Sequence, residues 1–260
     1  MKKIKPSDGN KTFCMAPWTH TYLSPQTERR MCCASREPAQ SFKQYIDTGN
    51  DSKAYNPLTL KEHWNSQHMR SVRKRMLQGK TLPECEVCND KLLNTDVYKS
   101  YWNHLFEHLI DKAFTDTQED GTTTMPVISY DYRFNNLCNF KCRMCGSMLS
   151  SSWESEQRKH KDWSISSSPW MEPKLREQIK SFQDTQVVNE FMHGVENQTI
   201  REIYWCGGEP LMWDIHWTAM QRIIDLGFAK EVYVRYNTNL SRTTYKKQNV
   251  FDMLKDFQDW

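Results

Sequence analysis

Nine cysteines, gathered at short spacing, constrain this chain of 260 residues more than any other feature. They fall as Cys14; Cys32 and Cys33; Cys85 and Cys88; Cys138, Cys142 and Cys145; and Cys206. The start, Met1-Lys2-Lys3-Ile4-Lys5-Pro6, carries the charge of a secretion signal without the apolar stretch that must follow it. In a reducing cytosol thiols stay free, so disulfides explain the grouping poorly. Clustering in such a chain favours metal binding or catalysis over structural bridging. The expectation is a cytoplasmic protein whose cysteines act in sets. No apolar run reaches the roughly 18 residues that span a bilayer, so no membrane partner is expected. Lys and Arg number 35 against 32 Asp and Glu, spread along the chain, which argues against a dedicated nucleic-acid surface.

Composition divides the chain at a polar run. Residues 1–114 hold five cysteines and two helical stretches, 57–80 and 92–114. The first has Leu58, Trp64, Met69, Val72, Met76 and Leu77 on an irregular apolar face, and stops at Gly79 before Pro83. Its basic residues Arg70, Arg73, Lys74 and Arg75 read as a solvated face. Residues 115–126 open with ten polar or small residues and read as a linker or exposed loop. From 127 to 260 strands and helices alternate. Strands are expected at 127–134, 200–206 and 231–237, and helices at 147–160, 172–192, 213–228 and 243–257. This alternation implies a parallel sheet, open or closed into a barrel. The fold class is therefore α/β, about three strand–helix units preceded by a small, cysteine-rich, mostly helical domain.

The triplet Cys138-x3-Cys142-x2-Cys145 follows the C-terminal end of the first of these strands, where parallel α/β folds assemble their chemistry. Thiolates select zinc, copper(I) or iron–sulfur over hard cations. A structural zinc site closes a tetrahedron, whereas a cubane on three cysteines leaves one iron open. Zinc completed by a fourth ligand and an ordinary electron-transfer cluster remain alternatives. The second strand ends in Cys206-Gly207-Gly208-Glu209-Pro210. Paired glycines admit a close backbone approach, and a carboxylate after them can take an ammonium group. Cys206 reads as a small buried residue. Tyr236-Asn237-Thr238-Asn239 ends the third strand; Ser150 to Ser152 follow the triplet, as cap or as cofactor contact. Of the eight histidines, only His104 and His108 have a helical spacing that suits a metal.

The run from Asn136 to Cys145, Asn-Leu-Cys-Asn-Phe-Lys-Cys-Arg-Met-Cys, resembles the signature loop of the radical S-adenosylmethionine superfamily. The resemblance implies that Cys138, Cys142 and Cys145 hold a [4Fe–4S] cluster whose fourth iron takes the amine and carboxylate of S-adenosylmethionine. Met144 stands where that family usually has an aromatic residue, and its side chain would pack over the adenine. Gly207-Gly208-Glu209-Pro210 is similar to the family's cofactor-binding motif, which makes Glu209 the acceptor for the amino group, with backbone contacts from Gly207 and Gly208. Asn237 and Asn239 would touch the ribose or carboxylate. No catalytic side chain can be assigned.

The N-terminal region resembles the auxiliary-cluster domain called SPASM, or its half-size form, twitch. The carried features are Cys14-Met15-Ala16-Pro17-Trp18, the paired cysteines, Trp64-Asn65-Ser66 with a basic helix after it, and Cys85-x2-Cys88. The implied ligands of a second iron–sulfur cluster are Cys14, Cys32, Cys85 and Cys88, with zinc the weaker alternative. Cys32 is preferred to Cys33 because neighbours on a strand face opposite ways. Two features depart from the family: the domain comes first rather than after the barrel, and Thr27-Glu28-Arg29-Arg30 replaces the glycine before the paired cysteines.

Together the resemblances imply a domain order of 1–114, a linker at 115–126 and a radical core at 127–260, with half of a TIM-barrel-like fold present. They imply reductive cleavage of S-adenosylmethionine to a 5′-deoxyadenosyl radical, an electron donor, and a peptide or protein substrate. With three units the chain would be truncated, split, or completed by a second chain. A non-catalytic electron-transfer or zinc-binding module is the competing expectation.

Overall fold

The computed structural model describes residues 2–36, 55–89, 97–160 and 169–258. The chain divides into two compact units. One is built from Met1–Tyr22, Leu58–Val127 and a segment that starts at Arg29; the other contains Leu23–Glu28 and the chain from Ile128 onward.

In the first unit the expected helix at 57–80 is two helices, α2 (Leu60–Trp64) and α3 (Gln67–Leu77). Each carries its own cap. The Thr59 hydroxyl accepts from the Glu62 N–H while Glu62 reaches back to the Thr59 N–H at 2.8 Å. Ser66 accepts from the Met69 N–H. A second cap so close to the first ends one helix and starts the next. Gly79 closes α3 in the left-handed region, at φ 70°. The expected helix at 92–114 is α5 (Val97–Leu105), a 3-10 turn at Glu107–Leu109 and α6 (Ile110–Asp116); its first residues, 92–96, lie outside the described residues. Two short helices, α1 (Ala16–Thr19) and α4 (Glu86–Asn89), and the strands β1 (His20–Leu23) and β2 (Arg29–Arg30) were not expected.

Arg73 corrects the solvated-face expectation. It is fully buried and donates to the carbonyls of Pro17 (2.8 Å) and Trp64 (2.7 Å) and to Asn65 Oδ1 (2.9 Å), over the Trp64 ring. Burial pulls its pKa down, and the three acceptors replace lost water. The polar run after α6 is likewise ordered. Asp116 accepts from the Thr124 N–H at 2.7 Å and from the hydroxyls of Thr123 and Thr124. Gly121, at φ 94°, lies so close to the Arg70 backbone that a Cβ there would clash with it.

In the second unit β3 (Ser129–Tyr132), β4 (Glu202–Trp205) and β5 (Tyr233–Tyr236) pair in parallel, with Ser129 opposite Glu202 and Glu202 opposite Tyr233. Alternation sorts their faces. One face buries Tyr130, Tyr132, Ile203 and Trp205, with Tyr130 and Tyr132 against Phe191 of α9 (Val188–Glu196) and Trp205 against Phe191 and against His216 of α10 (Asp214–Asp225). The other face carries Ser129, Asp131, Glu202 and Arg235, with Arg235 paired to Glu202 at 2.8 Å and Asp131 to Arg133 at 3.3 Å. The helices α7 (Ser151–Lys159) and α8 (Pro173–Phe182) also form, the latter running through a π turn at Gln183–Val187 into α9. The expected helix at 243–257 is largely replaced by a hairpin of β6 (Thr244–Tyr245) and β7 (Gln248–Asn249), followed by the short α11 (Val250–Leu254). Lys246 turns the hairpin at φ 53°, Tyr245 stacks on Trp217, and Asn249 caps α11.

Arg73→Ala leaves two buried carbonyls without donors, so it should lower the stability of the first unit by about 3 kcal/mol or more in urea unfolding. Arg73→Lys should restore only part, because an ammonium cannot span the same three acceptors. Equal stabilities for Arg73→Ala and the parent would remove Arg73 from the core.

Candidate cluster-binding sites

The strands β3, β4 and β5 run the same way, so the residues that follow them share one rim of the sheet. The cysteine loop after β3 is tied at both ends by side chains. Asn136 donates to the Ser147 carbonyl and to Glu154, both at 2.7 Å. Ser150 caps α7 by accepting from Trp153 and donates to the Phe140 carbonyl at 2.6 Å. Ser151 accepts from the Cys138 N–H, and both Ser151 and Ser152 donate to the Cys138 carbonyl. The serines thus cap the helix and fix the loop. Trp153 Nε1 donates to the Cys142 carbonyl at 2.9 Å. Cys142 is exposed, and Cys138 and Cys145 are partly buried. Burial first, then neighbouring thiols, raises the thiol pKa of Cys145; burial and then the Glu209 carboxylate raise that of Cys138.

The Gly-Gly-Glu-Pro turn packs against the root of that loop. Gly208 lies so close that a Cβ would sit 2.5 Å from the Leu137 carbonyl oxygen and 2.8 Å from the Asn136 carbonyl carbon. The Glu209 N–H donates to that same Leu137 oxygen at 2.7 Å. Gly207 takes φ 139°, which an L side chain rarely adopts. Gly208 therefore serves a backbone-to-backbone approach within the chain, while Gly207 lies against the Trp213 ring and the Arg133 side chain. Glu209 is 1% exposed, and its carboxylate accepts from the Leu211 N–H (3.1 Å), the Thr238 hydroxyl (2.5 Å) and the Asn239 N–H (2.6 Å). That arrangement binds the loop after β4 to the loop after β5.

From there Asn239 Nδ2 reaches Cys138 Sγ at 3.7 Å and Asn139 Oδ1 at 3.3 Å, while the Asn237 N–H donates to the Trp205 carbonyl and its amide to Cys206 Sγ at 3.6 Å. Met144 is 92% exposed. Cys206 is buried, close enough to Cys145 to raise its pKa further. Thr238, Asn139 and Ser241, which donates to Asn139 at 3.0 Å, complete the rim. None was singled out from sequence beyond the Tyr-Asn-Thr-Asn turn, since nothing in residue type marks a side chain that joins two loops.

In the first unit Cys14, Cys32, Cys85 and Cys88 line one small cavity with Ala16, Pro17, Met31, Met76 and Trp102. The Cys14 sulfur accepts from the Ala16 N–H at 3.5 Å, and the Cys14 N–H points at Met76 Sδ at 3.2 Å. Asn103 holds both sides of this segment, accepting from Met15 and donating to the Phe13 carbonyl. Cys32 and Cys33 sit in a turn beyond β2, and Cys32 lines the cavity. Burial, then neighbouring thiols, raises the Cys32 pKa. Among the described residues, no three or more His, Cys, Asp or Glu converge closely enough to hold a single metal ion. His104 and His108 form no such site.

Residues 14–89 match the profile of SPASM, an iron–sulfur cluster-binding domain, which occurs in radical S-adenosylmethionine enzymes. No curated protein and no solved structure matches the chain. Among the described residues no helix is long and apolar enough to cross a membrane.

Gly208→Ala must push apart two stretches of backbone, and should lower the melting temperature and weaken retention of any metal at Cys138, Cys142 and Cys145. Unchanged melting and metal content would show that the close approach is dispensable. On the polar face of the sheet, burial raises the Asp131 pKa from 3.8 to about 6, partly offset by Arg133, and Asp131 Oδ2 has no donor. A raised carboxyl pKa means the folded state favours the protonated form. The resulting penalty is absent below about pH 4, grows as pH rises to 6, and is constant above, at roughly 3 kcal/mol. Asp131→Asn should therefore be more stable than the parent at pH 7, with the difference shrinking in denaturation curves as pH falls from 6 to 4.

Proposed function

We propose that the chain is a radical S-adenosylmethionine enzyme carrying two iron–sulfur clusters and acting on a peptide or protein. The first cluster would be held by Cys138, Cys142 and Cys145, the second by Cys14, Cys32, Cys85 and Cys88. The observation that carries the reading is the joining of three loops at one rim: the cysteine loop, the glycine turn and the segment 237–241, linked through Glu209 and Asn239. Three thiols at that rim, with carboxylate and amide groups beside them, suit a cubane with one iron left for a cofactor. The SPASM match at 14–89 supports the auxiliary cluster and, through the enzymes that carry such domains, the enzyme reading. The SPASM match is also what favours a cluster over zinc at Cys14, Cys32, Cys85 and Cys88.

Cys138, Cys142 and Cys145 would hold a cluster that, when reduced, would supply the electron for cleavage of S-adenosylmethionine. The chain's own contribution is orientation. Glu209 keeps one lone pair of Oε2 beyond its internal hydrogen bonds, the group suited to an ammonium. Asn239 donates toward the Cys138 sulfur, where a hydrogen bond lowers the charge on a ligating thiolate. Ser150, Ser151 and Ser152 keep the loop in place before any cofactor arrives. The peptide or protein substrate rests on analogy with SPASM-bearing enzymes.

A second reading, a plain electron carrier, is favoured by Glu209, which is buried and already accepts three hydrogen bonds from within the chain. Electron paramagnetic resonance of the anaerobically reconstituted, reduced chain separates the two. The parent should bind roughly eight irons per chain and the variant with Cys138, Cys142 and Cys145 all replaced by Ala about four. S-adenosylmethionine should shift the signal of the parent and leave that of the variant unchanged. A signal that is lost in the triple variant yet indifferent to S-adenosylmethionine in the parent would establish the carrier instead.

A further inference from the structure

Cys14, Cys32, Cys85 and Cys88 share their cavity in the first unit with two side chains whose polar atoms the chain leaves unused. The Ser35 hydroxyl and Trp102 Nε1 are buried and have no hydrogen-bond partner among the described residues. Both side chains are 3% exposed, so bulk water does not serve them either. A buried donor without an acceptor is costly, and an indole nitrogen inside a protein normally finds one. The two donors come from different elements. Ser35 closes the turn that begins at Cys32, its N–H donating to the Cys32 carbonyl at 3.1 Å. Trp102 is the buried residue of α5, its ring against that of His20 at 4.0 Å and edge-on to Tyr101 at 4.8 Å. Its neighbour Asn103 binds both sides of Cys14 and so fixes α5 against the cysteine segment. Other donors lining the cavity are occupied: Lys99 donates to the Lys11 carbonyl at 2.9 Å and the Ala16 N–H to the Cys14 sulfur. Glu84, the one carboxylate there, accepts from Arg75 through Oε1 at 2.9 Å. Its Oε2 has no partner and offers a cluster nothing, since a sulfide has no proton to give. Trp205 and Trp213 also keep unpartnered indole nitrogens, but neither lines this cavity.

We propose that Ser35 and Trp102 donate hydrogen bonds to sulfurs of the cluster held by these four cysteines and thereby raise its reduction potential, an inference that rests on the cluster assignment made above. Neither residue is a ligand. The sulfur of a thiolate or sulfide is an acceptor, and it gains negative charge when the cluster takes up an electron. A donor at that sulfur therefore stabilises the reduced state more than the oxidised one, and the potential rises. The low dielectric of a buried site strengthens the effect. Trp102 lies beyond residues 14–89, so this tuning by α5 comes from outside the region that matches SPASM. Zinc thiolates would accept the same bonds, but zinc has no redox chemistry, so a potential is the quantity that reports the donors at a cluster.

The test uses the full chain with Cys138, Cys142 and Cys145 replaced by Ala, reconstituted anaerobically with iron and sulfide, so that only the cluster of the first unit reports. Ser35→Ala and Trp102→Phe are then added to this parent, singly and together. The potential is set with dithionite and mediators, and the reduced cluster is read by electron paramagnetic resonance. Each substitution should lower the ratio of reduced to oxidised cluster at a fixed potential by about tenfold, a shift of ~59 mV for one electron. The double variant should shift further than either single one. Electron–nuclear double resonance after exchange into deuterated water should show exchangeable protons coupled to the cluster, with one lost in each variant. Without metal, Ser35→Ala should unfold in urea no earlier than its parent, because the hydroxyl removed has no partner. Earlier unfolding would mean that the hydroxyl is already bonded within the chain, and would strike Ser35 from the proposal. Ratios within about twofold of the parent in both variants would overturn the proposal. So would loss of the bound iron in both, since the two residues would then be walls of the site and not donors. Iron content of the parent separates this from the cluster assignment. Zinc or no iron overturns that reading and this inference with it, whereas about four irons with an unmoved potential sinks the donors alone.

Discussion

The approach of the Gly208 backbone to residues 136 and 137 sets the geometry on which the rim depends. It fixes the distance between the loops after β3 and β4, and the hydrogen bond from Glu209 N–H to the Leu137 carbonyl locks it. From that contact the Glu209 side chain extends the connection to Thr238 and Asn239, and Asn239 carries it back to Cys138. The path is closed: cysteine loop, glycine turn, third loop, cysteine loop. A carboxylate buried to 1% exposure is costly unless donors surround it, and three donors from two loops meet that need. The same residue is thus structural in its internal bonds and still has an acceptor position to offer.

The two units organise their cysteines by different means. At the rim the three cysteines come from one short loop hung between Asn136 and the serines that begin α7. In the first unit they come from separate segments, and the frame is the packing of α3 under the N-terminal chain. Arg73 is central there, because its guanidinium satisfies at once the Pro17 carbonyl of the segment that carries Cys14 and the Trp64 carbonyl of α2.

The sequence made the parallel strands legible because apolar runs bounded by chemistry-bearing turns have few other interpretations. Ile200 to Cys206 running into two glycines is an example. The position of the triplet, the glycine turn and the Asn237–Asn239 segment at one rim followed from that alternation. What stayed hidden depended on tertiary partners. Arg73 stands in a basic run, and nothing in its neighbours marks it as the one that turns inward. Asn65-Ser66 does carry a capping signal, but the apolar spacing continues across it. The hairpin at 244–249 was missed because Val250, Met253 and Phe257 keep a helical spacing, while the stacking of Tyr245 on Trp217 decides the backbone before them. The close approach of Gly208 to Leu137 is likewise a tertiary contact that residue type does not announce.

The spread of ligands has a consequence for how such a protein would mature. The loop from Cys138 to Cys145 is braced by hydrogen bonds that need no metal, so a cluster held there as proposed would be inserted into an already folded chain through the exposed Cys142. Cys14, Cys32, Cys85 and Cys88 come together only when distant segments have packed, and there the free energy of binding a cluster would be shared with folding. Starvation for iron would then affect the two halves unequally: the second would survive as an empty but shaped receptacle, and the first would lose part of what keeps it folded.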